Sequence, residues 1–174
     1  MNEYGSLVIT REHNGDEKAI SSLHESAFGQ PDEALLVDHL REQGAIFLSL
    51  VAWLRDELVG NVVFSGGMVR GDRGEWSAIA LGPLAVMPHH QKRGIGTALV
   101  EAGLMRCRQA GVGAVFVLGD PAYYARFGFI PAWSSHIRWE QLEPRDEFQV
   151  VELLPGGIQS SGVFAYHSAF NDLT

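Results

Sequence analysis

At 174 residues, 46% of them hydrophobic, the chain is long enough to bury a core without staples and is read as one domain over residues 1–174. Thirteen Lys and Arg against twenty-one Asp and Glu give a net charge of −8 and a pI near 5.3, which repels a phosphate backbone and excludes nucleic acid as the principal partner. The single cysteine, Cys107, rules out an intramolecular disulfide; an N-terminus without a basic and apolar leader, and no membrane-length apolar run, point to a cytoplasmic protein.

In chain order, Leu7–Arg11 reads as a first strand. Asp16 is placed to cap a helix with Ile20, Leu23, Ala27 and Phe28 on its apolar stripe, and Pro31-Asp32 opens a second helix with a stripe of Leu35, Leu36, His39 and Leu40. Phe47–Leu54 and Leu58–Met68 form a hairpin about Arg55-Asp56-Glu57, with Gly66-Gly67 marking a bulge. Trp76–Val86 returns as a long strand. Gly82-Pro83 interrupts it, because proline cannot donate to a ladder, and the break leaves backbone groups near Leu84 and Val86 open to a ligand.

Lys92–Ala110 has Ile95, Leu99, Ala102 and Met105 on one helical face and Gly111 as its cap. Ala114–Leu118 follows as a short strand parallel to the one before the helix. Asp120-Pro121 begins a short helix that ends at Gly128, and Phe148–Leu154 and Gly162–His167 supply late strands about Pro155-Gly156-Gly157.

The chemistry concentrates between Leu84 and Leu99. A strand stops at Pro88, and Gln91-Lys92-Arg93-Gly94-Ile95-Gly96 opens a helix whose first amides have no intrahelical partner. The helix dipole adds partial positive charge there, and the glycines let an anion reach the backbone. The dinucleotide fingerprint fails for want of a third glycine, and a Walker loop fails because no Gly-Lys-Ser/Thr is present.

Val86-x-Pro-x-x-Gln91-x-x-Gly94-x-Gly96-x-x-Leu99 resembles the acyl-CoA-binding motif of the GNAT superfamily of N-acetyltransferases, and Tyr123-Tyr124-Ala-Arg-Phe-Gly128-Phe129 resembles its second signature. The order of elements over the whole chain matches, and the Leu118–Phe129 stretch, with Pro155-Gly156 and Tyr166–Phe170, is similar to small bacterial GNAT proteins. The resemblance implies an α/β (α+β) fold: a mixed central sheet splayed between its fourth and fifth strands and flanked by about four helices. It implies acetyl-CoA as co-substrate and a primary amine, on a small molecule or a protein, as acceptor, attacked directly in a ternary complex. A homodimer is common in the family.

On that resemblance, Leu84, Ala85 and Val86 bind pantetheine, with the backbone of Leu84 or Val86 stabilising the oxyanion. Gln91, Lys92, Arg93, Gly94, Ile95, Gly96 and Thr97 bind the pyrophosphate, and Asp120, Tyr123, Tyr124 and Phe127 complete the cofactor site. Tyr124 is the general acid for the departing thiolate. The central strand offers Ile79, Ala80 and Leu81 where some relatives carry a carboxylate, so the base is a water chain or one of Glu25, Glu33 and Asp120. A non-catalytic acyl-CoA sensor is the alternative reading, and a nucleotide-binding switch a third. His89-His90 has no Cys or carboxylate partner at metal spacing in the sequence, so it is read as a solvated turn and no metal site is expected. Cys107 is read as packing, and Phe28, Trp133, His136 and Trp139 as aromatic residues suited to an acceptor pocket or to the core.

Overall fold

The computed structural model describes residues 6–141 and 143–171. Strand β1 (Leu7–Arg11) leads to helices α1 (Glu17–Phe28) and α2 (Asp32–Glu42), the strands β2 (Ile46–Leu54), β3 (Glu57–Gly71) and β4 (Gly74–Val86), and helix α3 (Ile95–Gln109). Then come β5 (Ala114–Leu118), α4 (Pro121–Tyr124), β6 (Ile130–Pro131), β7 (Ile137–Trp139), β8 (Phe148–Glu152) and β9 (Gly162–Tyr166). The sheet order is β1-β2-β3-β4-β5-β8-β6, with β9 paired to β3 and β7 to β9. The sheet is mixed, as the resemblance implies: β4 and β5 pair in parallel, whereas β1 with β2 and β5 with β8 pair antiparallel.

Two compact units divide the chain. The first comprises residues through Phe64, Pro83–Gly103 and those from Ala169 onward. Its core joins Ile20 and Leu23 of α1, Val37 and Leu40 of α2, Val51 of β2, Leu58 and Val63 of β3, and Ala85. Helix α3 lies flat on β3 because two glycines remove the side chains that would hold it off. A Cβ on Gly60 would stand 2.8 Å from Leu99 Cδ1 and 3.2 Å from Ile95 Cγ2, and one on Gly103 would overlap the ring of Phe64.

The second unit, Ser65–Gly82 with Leu104–Ser168, is built around aromatic rings. Phe116 stacks on Phe164 at 4.4 Å and on Phe148 at 5.5 Å between ring centroids, with Trp76 tilted beside it. In the same unit Gly113 and Gly157 press backbone on backbone, a Cβ at Gly113 falling 2.7 Å from Gly157 Cα. The Gly113 carbonyl accepts from Leu153 N–H at 2.8 Å there.

Several expectations shift by a helical phase. Leu35 and Met105 are exposed while Ala34, Val37 and Cys107 are buried, so the core faces of α2 and α3 are rotated from the stripes read in sequence. Phe28 is exposed as well. Asp16 precedes α1 without capping it; its carboxylate accepts instead from the His13 N–H at 2.8 Å. β3 runs on through Gly66-Gly67, where the missing side chain of Gly67 makes room for the ring of Phe164. β4 likewise continues through Gly82-Pro83, with Gly82 at φ +139°, a conformation that favours glycine. β4 pairs with β5 at Ile79, Ala80 and Leu81, opposite Val115, Phe116 and Val117. No helix among the described residues is long and apolar enough to cross a membrane.

Candidate functional site

In the first unit the end of β4 and the start of α3 are braced together. Met87 N–H donates to Val59 O of β3 at 2.9 Å. Strands joined by the short Asp72-Arg73 turn run antiparallel, so alternate residues address the same neighbour. Ala85 therefore faces β3 with Met87, and Leu84 and Val86 direct their N–H and C=O groups to the other edge. The Val86 carbonyl is taken by the Gln91 side chain, whose Nε2 donates to it at 3.0 Å. Gln91 thus ties the strand end to the loop that follows.

A 3-10 turn, Pro88–His90, starts that loop, and Lys92 and Gly94 then adopt left-handed backbone angles, φ +61° and +89°. The first helical bond of α3 runs from Ala98 N–H to Gly94 O at 3.0 Å, so the amides of Ile95, Gly96 and Thr97 precede the intrahelical ladder. Gln91, Lys92, Arg93 and Gly94 are exposed, whereas Ile95 is buried against β3 and anchors the turn. The result is an open set of amide donors beside two cationic side chains, on a helix end fixed to the sheet from below. A phosphate group is the ligand that such an arrangement suits.

Tyr124 lies in the second unit, at the end of α4. Asp120 caps that helix, accepting from Ala122 N–H at 2.9 Å, as its position before Pro121 predicts. The Tyr124 ring is buried edge-on to Tyr123 and Phe129 at 4.9 and 5.6 Å, and rests on the backbone of Gly119. Burial, with a smaller push from Tyr123, raises its phenol above the ordinary tyrosine range, so it remains a proton carrier at any physiological pH. Tyr123 is half-buried, its ring covered by the Arg126 guanidinium at 4.5 Å, and Phe127 packs against it at 5.5 Å.

The family profile described as Acetyltransferase (GNAT) family matches residues 17–129, a stretch holding both the α3 loop and Tyr124. The chain belongs to the GNAT acetyltransferase family. It is 35% identical over 167 residues to the uncharacterized N-acetyltransferase YhbS of Escherichia coli K12, covering 95% of this chain and 99% of that one. Against the solved structure of E. coli YhbS in complex with CoA the TM-score is 0.89, at 34% identity over 95% of this chain and 92% of that one. A GNAT acetyltransferase from Brucella melitensis, solved with acetyl-CoA, matches at 33% identity and a TM-score of 0.79, over 94% of this chain and 97% of that one. The GNAT fold and N-acetyltransferase class follow from these likenesses.

The structure separates the sequence-predicted GNAT residues into two sets. Leu84, Ala85, Val86 and Gln91 through Thr97 lie together in the first unit; Asp120, Tyr123, Tyr124 and Phe127 lie together in the second. Of the carboxylates weighed as bases, Asp120 is engaged as a cap, Glu33 accepts from Gln30 Nε2 at 3.0 Å, and Glu25 is exposed on α1. Among the aromatic residues weighed for a pocket, Trp133 is exposed and donates to Asp146 Oδ1 at 2.8 Å, and His136 is exposed at a left-handed turn. Trp139 packs edge-on to Tyr166 at 5.4 Å.

Two residues were given no site role by the sequence. Tyr166 of β9 is raised in pKa by burial and then by Tyr124, a proximity that only long-range pairing creates. Glu57 stands beside both His89 and His90, its oxygens 3.6 and 3.7 Å from their Nε2 atoms, so the histidine pair does have a carboxylate partner. Pairing arithmetic could have found it, since a register that sets Val59 opposite Met87 sets Glu57 opposite His89.

Proposed function

We propose that this GNAT protein is an acetyl-CoA-dependent N-acetyltransferase that moves an acetyl group to a primary amine by direct attack in a ternary complex. The observation that carries this is the α3 entrance: unladdered amides from Ile95 to Thr97, left-handed turns at Lys92 and Gly94, and Gln91 holding Val86 O. Gln91, Lys92, Arg93, Gly94, Ile95, Gly96 and Thr97 hold the pyrophosphate, and the outward backbone edge of Leu84 to Val86 pairs with pantetheine. In this reading the thioester oxygen takes a hydrogen bond from the Leu84 or Val86 amide, a donor already fixed by the strand and needing no reorganisation as charge develops. That the related E. coli and Brucella proteins were solved with CoA and acetyl-CoA supports the choice of ligand.

The reaction needs a proton removed from the amine and one delivered to the thiolate. Tyr124, kept neutral by its burial, supplies the second. For the first, Asp120 caps α4, Glu33 accepts from Gln30, Glu25 stands exposed on α1, and β4 carries Ile79, Ala80 and Leu81, which favours loss of the proton through water. Asp120, Tyr123 and Phe127 shape the wall around Tyr124. The acceptor is an amine on a small molecule or a protein, and the one buried cysteine suits a reducing, cytoplasmic setting.

The test is CoA release from acetyl-CoA across a broad amine panel, for the wild type and Tyr124→Phe. The expected outcome is amine-dependent release, with kcat reduced about 100-fold or more in the variant and calorimetric acetyl-CoA affinity unchanged. Tight acetyl-CoA binding with no release for any amine would replace this reading with that of an acyl-CoA sensor. Binding of ATP or NAD in preference to CoA would overturn both.

A further inference from the structure

We infer that Glu57, His89 and His90 form a binding site for a divalent transition metal ion of the zinc type. Glu57 opens β3 immediately after the tight Arg55-Asp56 turn, and His89 and His90 close the 3-10 turn after β4. The three offer one ligand atom each, all within 4.8 Å of one another. Glu57 Oε1 lies 3.6 Å from His89 Nε2 and Glu57 Oε2 lies 3.7 Å from His90 Nε2. The two rings are held 4.1 Å apart between centroids.

Those separations are too long for hydrogen bonds and leave the three side chains within reach of a shared ion. An N–H···O bond wants about 2.7–3.2 Å between heavy atoms, and a contact at 3.6 Å is not one. Ligands about 2.0–2.1 Å from a tetrahedral zinc ion stand roughly 3.3–3.4 Å from each other, and donor atoms that already lie within 4.8 Å reach that spacing by small rotations of the exposed side chains. His90 is the fixed member: its side chain is 13% exposed, its Nε2 faces Glu57, and its Nδ1 is buried with no hydrogen-bond partner among the described residues. His89 and Glu57 are 60% and 51% exposed, so they can close on an ion without disturbing the core and leave its fourth position to water.

Two imidazoles and one carboxylate form a borderline donor set, suited to zinc, cobalt, nickel or copper and poor for calcium or magnesium. The ligand set uses imidazoles turned to Glu57 of β3, whereas the amides proposed for CoA belong to the backbone from Gln91 onward.

The experiment uses the full chain purified without a histidine tag. Zinc affinity is measured by competition with a chromophoric chelator, and coordination by the visible absorption of the cobalt form. The wild type is expected to bind one equivalent of zinc and to give the intense bands of low-coordinate cobalt. His89→Ala and Glu57→Gln each weaken zinc by about tenfold or more and abolish those bands, whereas His13→Ala, a distant histidine paired with Asp16, leaves both intact. Unfolding midpoints measured in EDTA stay equal among the variants, since His89 and Glu57 are surface residues. Zinc bound equally by wild type, His89→Ala and Glu57→Gln, no zinc bound by the wild type, or equal loss in His13→Ala would overturn the assignment.

Discussion

Replacing Asn61 by leucine tests whether the buried polar network of the first unit holds it together. Asn61 is fully buried on β3 and its Nδ2 donates to the Leu50 carbonyl at 2.9 Å and to Ser49 Oγ at 3.0 Å. A carbonyl can only accept, so the amide orientation is fixed and Asn61 Oδ1 must face His24, 2.8 Å from its Nε2. His24 therefore donates from Nε2, and its Nδ1, buried and without a partner among the described residues, has no acceptor there for a second proton. Burial accordingly holds the His24 pKa below the ordinary histidine value, against the opposing pull of the Asn61 bond. In Asn61→Leu the His24 N–H loses its acceptor inside the core, and Ser49 Oγ and the Leu50 carbonyl each lose a donor. At about 1–3 kcal/mol for each buried group left unsatisfied, partly offset by the added apolar side chain, the variant should lose about 2–4 kcal/mol. Its melting temperature should fall by roughly 5–15 °C for a domain of this size. Urea denaturation followed by tryptophan fluorescence measures the loss, with an unchanged m-value showing that the unfolded surface is the same. The double variant His24→Leu/Asn61→Leu should recover part of it, because both partners are then apolar. A single variant within about 0.5 kcal/mol of wild type, or strictly additive losses in the double variant, would refute the reasoning.

Stability should also form a plateau in pH. His24 resists protonation in the fold, so the unfolded chain binds the extra proton and stability falls as pH drops below about 6.5. Burial pushes the Cys107 thiol up to about 12, and Tyr124 and Tyr166 also hold their protons longer than unfolded chains do. Stability should therefore fall as pH rises above about 8.5 for the cysteine and about 10 for the tyrosines; calorimetric melting that stays level across this range would contradict both limbs. The same burial should make Cys107 inert to thiol reagents in the folded protein and reactive in urea, which a timed thiol titration reads directly. Lys92→Gly should be about 1 kcal/mol more stable than Lys92→Ala, because only glycine relieves the left-handed φ of +61°, while both variants bind CoA equally more weakly through the lost charge. Gly103→Ala should cost about 1–3 kcal/mol in denaturant unfolding, since its methyl group would overlap the Phe64 ring.

Local chemistry made much of this legible. Asp120-Pro121 and Gly128 bracket a short helix because a carboxylate caps, proline tolerates the first turn and glycine accepts φ +91°. The α3 loop was equally readable, its glycines and basic residues being contiguous in the chain. Phase was less so. Helices α2 and α3 carry apolar residues on more than one face, and only docking decides that Val37 and Cys107 go inward while Leu35 and Met105 remain outside. The 3-10 turn at Ala132–Ser135 and strand β7 have too few residues for any periodicity to declare them. Glu57 and Tyr166 were harder for another reason: each matters through a neighbour far away in sequence, Glu57 legible only once the β3–β4 register is worked out and Tyr166 only once its part of the fold is assembled.

The meeting of Gly113 with Gly157 has an evolutionary consequence. A Cβ at either position would strike the other's backbone, and backbone cannot be made smaller. Most packing faults in a core can be repaired by trimming the opposite residue; here no residue at either position could serve as the repair. The pair admits no exchange of bulk from one side to the other, so sequences descending from this one should keep glycine at both positions or rebuild the Leu153–Gly157 turn altogether, whatever acceptor they come to use.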